Sequence, residues 1–177
     1  MSHNWFFEIR LGASELGRVD VIPLLLHVVS QFHLTRECSE KLFIILSELF
    51  NNALDHGVLR LDSQLKQSPD GMETWLLMRE QRLAALEEGE VSLAVEQFVE
   101  HGQIWLRLTC KDTGPGFDVG KTLNRMKHRH ANGQPDMLPY GRGLLLIQSL
   151  THSIDYNAEG NRVVVHMVIE GATAVGH

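Results

Sequence analysis

Apolar and polar side chains alternate from Trp5 to Leu11, which predicts an opening strand. A helical period follows. Ser14 is placed to cap a helix reaching about Phe32, with Pro23 either bending it or marking its true start. Thr35 is placed to cap the next helix, in which Leu42, Ile45, Leu46, Leu49 and Ala53 recur on one face and Gly57 is the stop. Residues 60–70 are polar and turn-rich. Met72 to Glu88 reads as a further helix built from good helix formers, ended by Gly89. Val91, Leu93 and Val95, then Ile104, Leu106, Leu108 and Cys110, stand at period two around His101-Gly102, which predicts a hairpin. A short helix is expected over Gly143 to Leu150. A second hairpin is expected from Ser153–Asn157 and Arg162–Glu170, turning at Glu159-Gly160-Asn161, with a frayed tail from Gly171. Residues 117–140 have no clear period and read as a loop or lid. Helices beside paired strands give an α+β expectation: a two-layer sandwich with a mixed, mainly antiparallel sheet and helices on one face.

Bulk properties narrow the class. A length of 177 residues suits a single domain, 1–177, with a real core. The formal net charge of -6 argues against a general nucleic-acid binder, which needs a basic surface. Cys38 and Cys110 lie far apart, outside any metal or redox spacing, and read as reduced core thiols of a cytoplasmic protein. Met1 to Arg10 lacks the basic start and apolar run of a signal peptide. The longest apolar run, Val21 to Ser30, is interrupted by Pro23 and His27 and is too short to span a bilayer, so no membrane partner is expected.

Three segments carry candidate chemistry. Glu48, Asn52 and His56 follow at four-residue steps, with Asp55 beside them, so they share a polar helix face. A carboxylate and a carboxamide side by side on a rigid element suit a hydrated magnesium ion and a reacting phosphate; the plain alternative is a solvated face. Asp55 and His56 are placed to hold water or to finish the helix end. Lys111-Asp112-Thr113-Gly114-Pro115-Gly116 closes an apolar strand. Its glycines permit a flat group to approach closely, although the same residues would make a simple strand-end turn. Tyr140-Gly141-Arg142-Gly143-Leu144 opens an apolar run, leaving backbone N–H groups at a helix start for phosphate, or only entering a core helix. Lys121, Arg125, Lys127 and Arg129 make the segment between them basic in an acidic protein, as a phosphate-neutralising lid or a solvated loop would be.

The order of these motifs resembles the GHKL superfamily, the Bergerat ATP-binding fold shared by gyrase, a heat-shock chaperone, histidine kinases and a mismatch-repair protein. Glu-x-x-x-Asn-Ala-x-x-His-Gly is closest to the anti-sigma-factor serine kinases of that group. The resemblance spans about residues 5–170, although its Gly-x-Gly motif is shorter than the glycine-rich form of many relatives. It implies ATP and magnesium as cofactors, Glu48 as catalytic base or orienting group, and Asn52 as magnesium ligand. Asp112 would bind the adenine amino group. Asp55, His56, Gly114, Gly116, Arg125, Gly141, Arg142, Gly143 and Leu144 would complete the nucleotide site. It implies a serine or threonine on a STAS-type anti-anti-sigma protein as acceptor, a sigma factor or another regulator downstream, and a possible homodimer. The alternative is an ATP-binding module that sequesters its partner without catalysis. The segment 61–89 is longer than the usual connection and looks like that of kinase domains found behind a phosphatase domain in bacterial signalling proteins. Associated phosphatase or receiver domains are therefore among the expected partners.

Overall fold

The computed structural model describes residues 4–32, 34–67, 70–121 and 142–173. The chain runs β1 (Trp5–Gly12), α1 (Ala13–Leu16), α2 (Val21–Ser30), α3 (Arg36–Asn51), a π-helical turn (Asn52–Val58), a 3-10 turn (Ser63–Gln67), α4 (Gly71–Ala84), β2 (Glu90–Glu100), β3 (Gln103–Asp112), α5 (Arg142–Leu150), β4 (Ser153–Tyr156) and β5 (Arg162–Thr173). The strands form one sheet in the order β1-β2-β3-β5-β4, antiparallel at every pairing. This is the expected α+β arrangement of a mainly antiparallel sheet with helices, and among the described residues every pairing is antiparallel.

Period-two patterning sets the strands. Val91, Leu93 and Val95 point to the same side as Leu106, Leu108 and Cys110, and all six are buried beneath the helices. His101 and Gly102 take φ of 50° and 76°, the positive pair that a two-residue hairpin turn requires. That turn pins the register from Glu100↔Gln103 down to Val91↔Asp112, so Asp112 falls at the end of β3. From the helical layer, Leu25, Leu42, Ile45, Leu46 and Ile147 close the same core. Each such side chain contributes about 1.5–3 kcal/mol by leaving water.

The opposite sheet face carries a polar row in register: Glu96, Arg107, His166 and Ser153. Arg107 pairs with Glu96 at 2.7 Å and donates Nε–H to His166 Nε2 at 3.1 Å. Burial, and then the Arg107 charge, hold the His166 pKa below its ordinary value.

Three boundaries differ from expectation. Gly12, not Ser14, precedes the first short helix, and the Ser14 hydroxyl bonds to Glu15 instead. Pro23 lies in the first turn of α2, where its missing N–H costs little, so it marks the start of a separate helix. The helix α4 stops at Ala84 rather than Glu88. There the chain turns so that Leu86 packs on the core and Gly89, at φ 139°, leads into β2.

Both cysteines are buried, and burial pushes the Cys38 thiol up to about 11 and Cys110 up as well. Neither thiol is expected to react with a chromogenic disulfide reagent at pH 8 in the native protein, and both are expected to react in denaturant. Two rapid native equivalents would contradict the packing described.

Candidate functional site: a nucleotide cradle at the end of α3

The rotation of α3 is set by its apolar stripe and its cap. The Thr35 side chain accepts a hydrogen bond from the Cys38 N–H at 3.2 Å, and Cys38, Leu42, Ile45, Leu46 and Leu49 face the core. Glu48 and Asn52 are thereby left half-buried on the flank. Neither side chain has a hydrogen bond or ion pair to another described residue.

Beyond Asn52 the helix widens. The Leu59 N–H bonds to the Leu54 carbonyl, five residues back, at 2.8 Å, and the Leu61 N–H to the Asp55 carbonyl at 2.7 Å. From here i→i+5 bonding replaces the regular helical pattern. Of the expected row Glu48–Asn52–His56, only the first two are half-buried. His56 is exposed and its Nδ1 lies 2.7 Å from the Leu61 carbonyl, closing the helix end. Asp55 is buried and its Oδ1 pairs with Arg79 Nε at 2.7 Å. The His56 contact lies at the helix end, while Asp55 ties the turn to α4.

Gly57 now lies against Asp112. A Cβ at position 57 would stand 2.5 Å from the Asp112 carboxyl carbon. One at Gly114 would stand 2.7 Å from Asp112 Oδ1 and 2.5 Å from the Gly57 carbonyl carbon. Only glycine leaves the carboxylate room at both positions. Asp112 is buried, and its Oδ1 accepts the Gly114 N–H at 2.8 Å, while Oδ2 accepts no hydrogen bond from a described residue. Burial raises the pKa of this carboxyl, against the opposing pull of the Gly114 N–H. An acceptor of this kind suits an exocyclic amine.

The loop after Asp112 is seated on the β4–β5 turn. The Asn157 Oδ1 accepts the N–H groups of Gly160, Asn161 and Arg162 at 3.0, 3.1 and 2.9 Å, which shapes that turn. The Asn161 amide donates to the Gly114 carbonyl at 3.4 Å, and the Asn161 carbonyl accepts the Asp112 N–H at 3.0 Å. Gly116, at φ 72°, packs backbone to backbone on Glu159 and Gly160. Sequence reasoning singled out neither Asn157 nor Asn161; the only local signal was an Asn three residues before a turn glycine.

The third motif reaches the first. Gly143 lies in the first turn of α5, and a Cβ there would stand 3.1 Å from the Glu48 carboxyl carbon. Leu144 is half-buried on the core. Gly141, Arg125, the Arg142 side chain and most of the expected lid lie outside the described residues. Of that lid, Phe117 meets Tyr156 edge to face at 5.5 Å, and Asp118 pairs with Lys121 at 3.1 Å. A cavity of about 450 Å³ opens beside the same turn, with Val58, Arg60, Glu90, Thr113 and Gly114 among its walls.

Glu48 and Asn52 supply hard oxygen donors suited to magnesium. Among the described residues no cluster of three or more His, Cys, Asp or Glu could cage a metal alone.

Residues 13–169 match the family model of the histidine kinase-like ATPase domain, and the chain belongs to that family. Its class is an ATP-binding domain with kinase- or ATPase-like function. No match was found among curated proteins. No helix among the described residues is long and apolar enough to cross a membrane.

Gly143→Ala is expected to weaken ATP binding by about tenfold or more with the far-UV circular dichroism unchanged, because the added methyl displaces Glu48. Unchanged affinity by calorimetry would remove that contact from the site. Asp112 also sets a pH dependence. With its pKa raised, the native state binds a proton there more tightly than the unfolded chain, so this group favours folding as pH falls through the interval between the two values. The charged form is the stronger acceptor for an amine. ATP affinity should therefore fall on acidification, starting above the ordinary carboxylate range, and Asp112→Asn should abolish that dependence in a titration of Kd against pH.

Proposed function

We propose that this domain is an ATP-dependent protein serine/threonine kinase of the anti-sigma-factor type, cytoplasmic, acting on a STAS-type anti-anti-sigma protein in a partner-switching pathway. The observation that carries the reading is the Glu48 carboxylate, facing Gly143 at the start of α5 with no cation paired to it among the described residues. A carboxylate so placed is available to a hydroxyl proton. The Glu-x-x-x-Asn-Ala-x-x-His-Gly form of the helix supports the subtype.

In this reading Asp112 accepts the adenine amino group, while Gly57, Gly114 and Gly116 admit the base. The N–H groups at the start of α5, around Gly141, Arg142, Gly143 and Leu144, meet phosphate oxygens. Magnesium, when bound, offsets phosphate charge, with the Asn52 carboxamide oxygen among its donors. Glu48 accepts the proton of the acceptor hydroxyl as that oxygen bonds to the terminal phosphorus. The bond from that phosphorus to the bridging oxygen breaks, and ADP leaves with the electron pair. Arg125 and the neighbouring cations of residues 117–140 offset the charge that develops. Binding of the unphosphorylated partner, and its release once phosphorylated, would control a sigma factor or another regulator.

The test mixes the domain, MgATP and the STAS-type protein encoded nearest its gene, and reads one added phosphate by intact mass spectrometry. Transfer by the wild type and its loss by at least about a hundredfold in Glu48→Gln and Asn52→Ala is the expected result. ATP binding without transfer would favour a sequestering module.

A further inference from the structure

The segment between the first two motifs makes contacts with the nucleotide cradle that the proposed catalytic roles do not use. Its helix α4 presents Arg79 and Arg82 three residues apart, on one face. Arg79 Nε donates to the buried Asp55 carboxylate at 2.7 Å. Arg82 Nη1 donates to the Leu59 carbonyl at 2.8 Å and to the Arg60 carbonyl at 2.7 Å. Those carbonyls follow the π-helical turn, where a helix end leaves acceptors unpaired and carries partial negative charge. Arg60 itself holds φ of 51°, a conformation uncommon for a side chain of its kind. The helix α4 is anchored in turn by Trp75, which is buried in the core, with Lys66 Nζ 3.5 Å above its ring.

We propose that Arg79 and Arg82 form a clamp that sets the widened end of α3, and so act as positioning residues for adenine recognition. The inference rests on the nucleotide reading of the cradle. A π-turn is a rare geometry, found mostly as a single turn within a helix. Asp55 lies inside it, and removing the partner of a buried ion pair leaves an uncompensated charge. Two residues on, Gly57 packs against the Asp112 carboxylate and Gly114 against the Gly57 carbonyl. Any rotation of the turn about Asp55 moves that wall. The path is Arg79 to Asp55, Asp55 to Gly57 within one turn, and Gly57 to Asp112. Arg82 restrains the same turn from its far end.

Loss of a merely stabilising ion pair would lower the melting temperature without changing which base is preferred. Calorimetric Kd values of wild type, Arg79→Met, Arg79→Lys and Arg82→Met are compared for MgATP and for purine riboside triphosphate, which lacks the 6-amino group. The wild type should prefer ATP. Arg79→Met should bind ATP about tenfold more weakly and lose most of that preference. Arg79→Lys should retain most of both, and Arg82→Met should move the same way by less. An unchanged preference in both methionine variants overturns the clamp, as does an equal loss for both nucleotides. If Arg79→Met does not fold, Arg82→Met decides: a narrowed preference supports the clamp and an unchanged one overturns it. No ATP binding by the wild type overturns the nucleotide reading and the clamp with it. Normal wild-type binding with insensitive variants overturns the clamp alone.

Discussion

The backbone of Gly57 lies directly on the buried Asp112 carboxylate, and much of the surrounding structure serves that contact. A carboxylate taken out of water needs donors or room for a ligand's donors. Here one oxygen takes the Gly114 N–H, and the other is left with no described partner. Side chains at 57 or 114 would occupy the space beside it. The widened turn in α3 brings Gly57 over Asp112, and the hairpin register brings Asp112 to the strand end. The constraint therefore links a local helical irregularity to a long-range strand pairing.

The sheet is rigid where this contact needs it. Asp112 ends the strand β3, which is paired on both sides, with Val91 opposite on β2 and Arg162 close by on β5. The turn held by Asn157 seats the loop that follows. The α3 helix is locked in rotation by its buried stripe, so Glu48 is carried to the start of α5 with no side-chain bond to another described residue. The closest approaches in the site are made by glycines because backbone, rather than side chain, forms its walls.

Charge is distributed in keeping with this arrangement. Glu48 and Asn52 are not paired with any neighbour among the described residues, whereas Asp55, close by in the chain, is paired with Arg79. The distinction separates groups available to a ligand from groups that hold the frame. On the far side of the sheet, the Glu96–Arg107–His166–Ser153 row satisfies its own donors and acceptors across four strands.

Interactions close in sequence were legible in the chain itself. The Thr35 cap, the α3 stripe, the His101-Gly102 turn and the alternation of β2 and β3 each depend on residues a few positions apart, and each was read correctly. The three motifs were also visible, because glycines and acids at fixed spacing leave a local signature. Tertiary structure decided what those signatures meet. At the π-turn, Arg79 on Asp55 and Arg82 on the Leu59 and Arg60 carbonyls join the end of α3 to a distant helix. The pairing of Asp55, the seat offered by Asn157 and Asn161, and the approach of Gly143 to Glu48 likewise join segments far apart in the chain. Local propensity carries no information about such meetings; they follow from how the sheet and helices pack, and from which polar group burial obliges to find a partner.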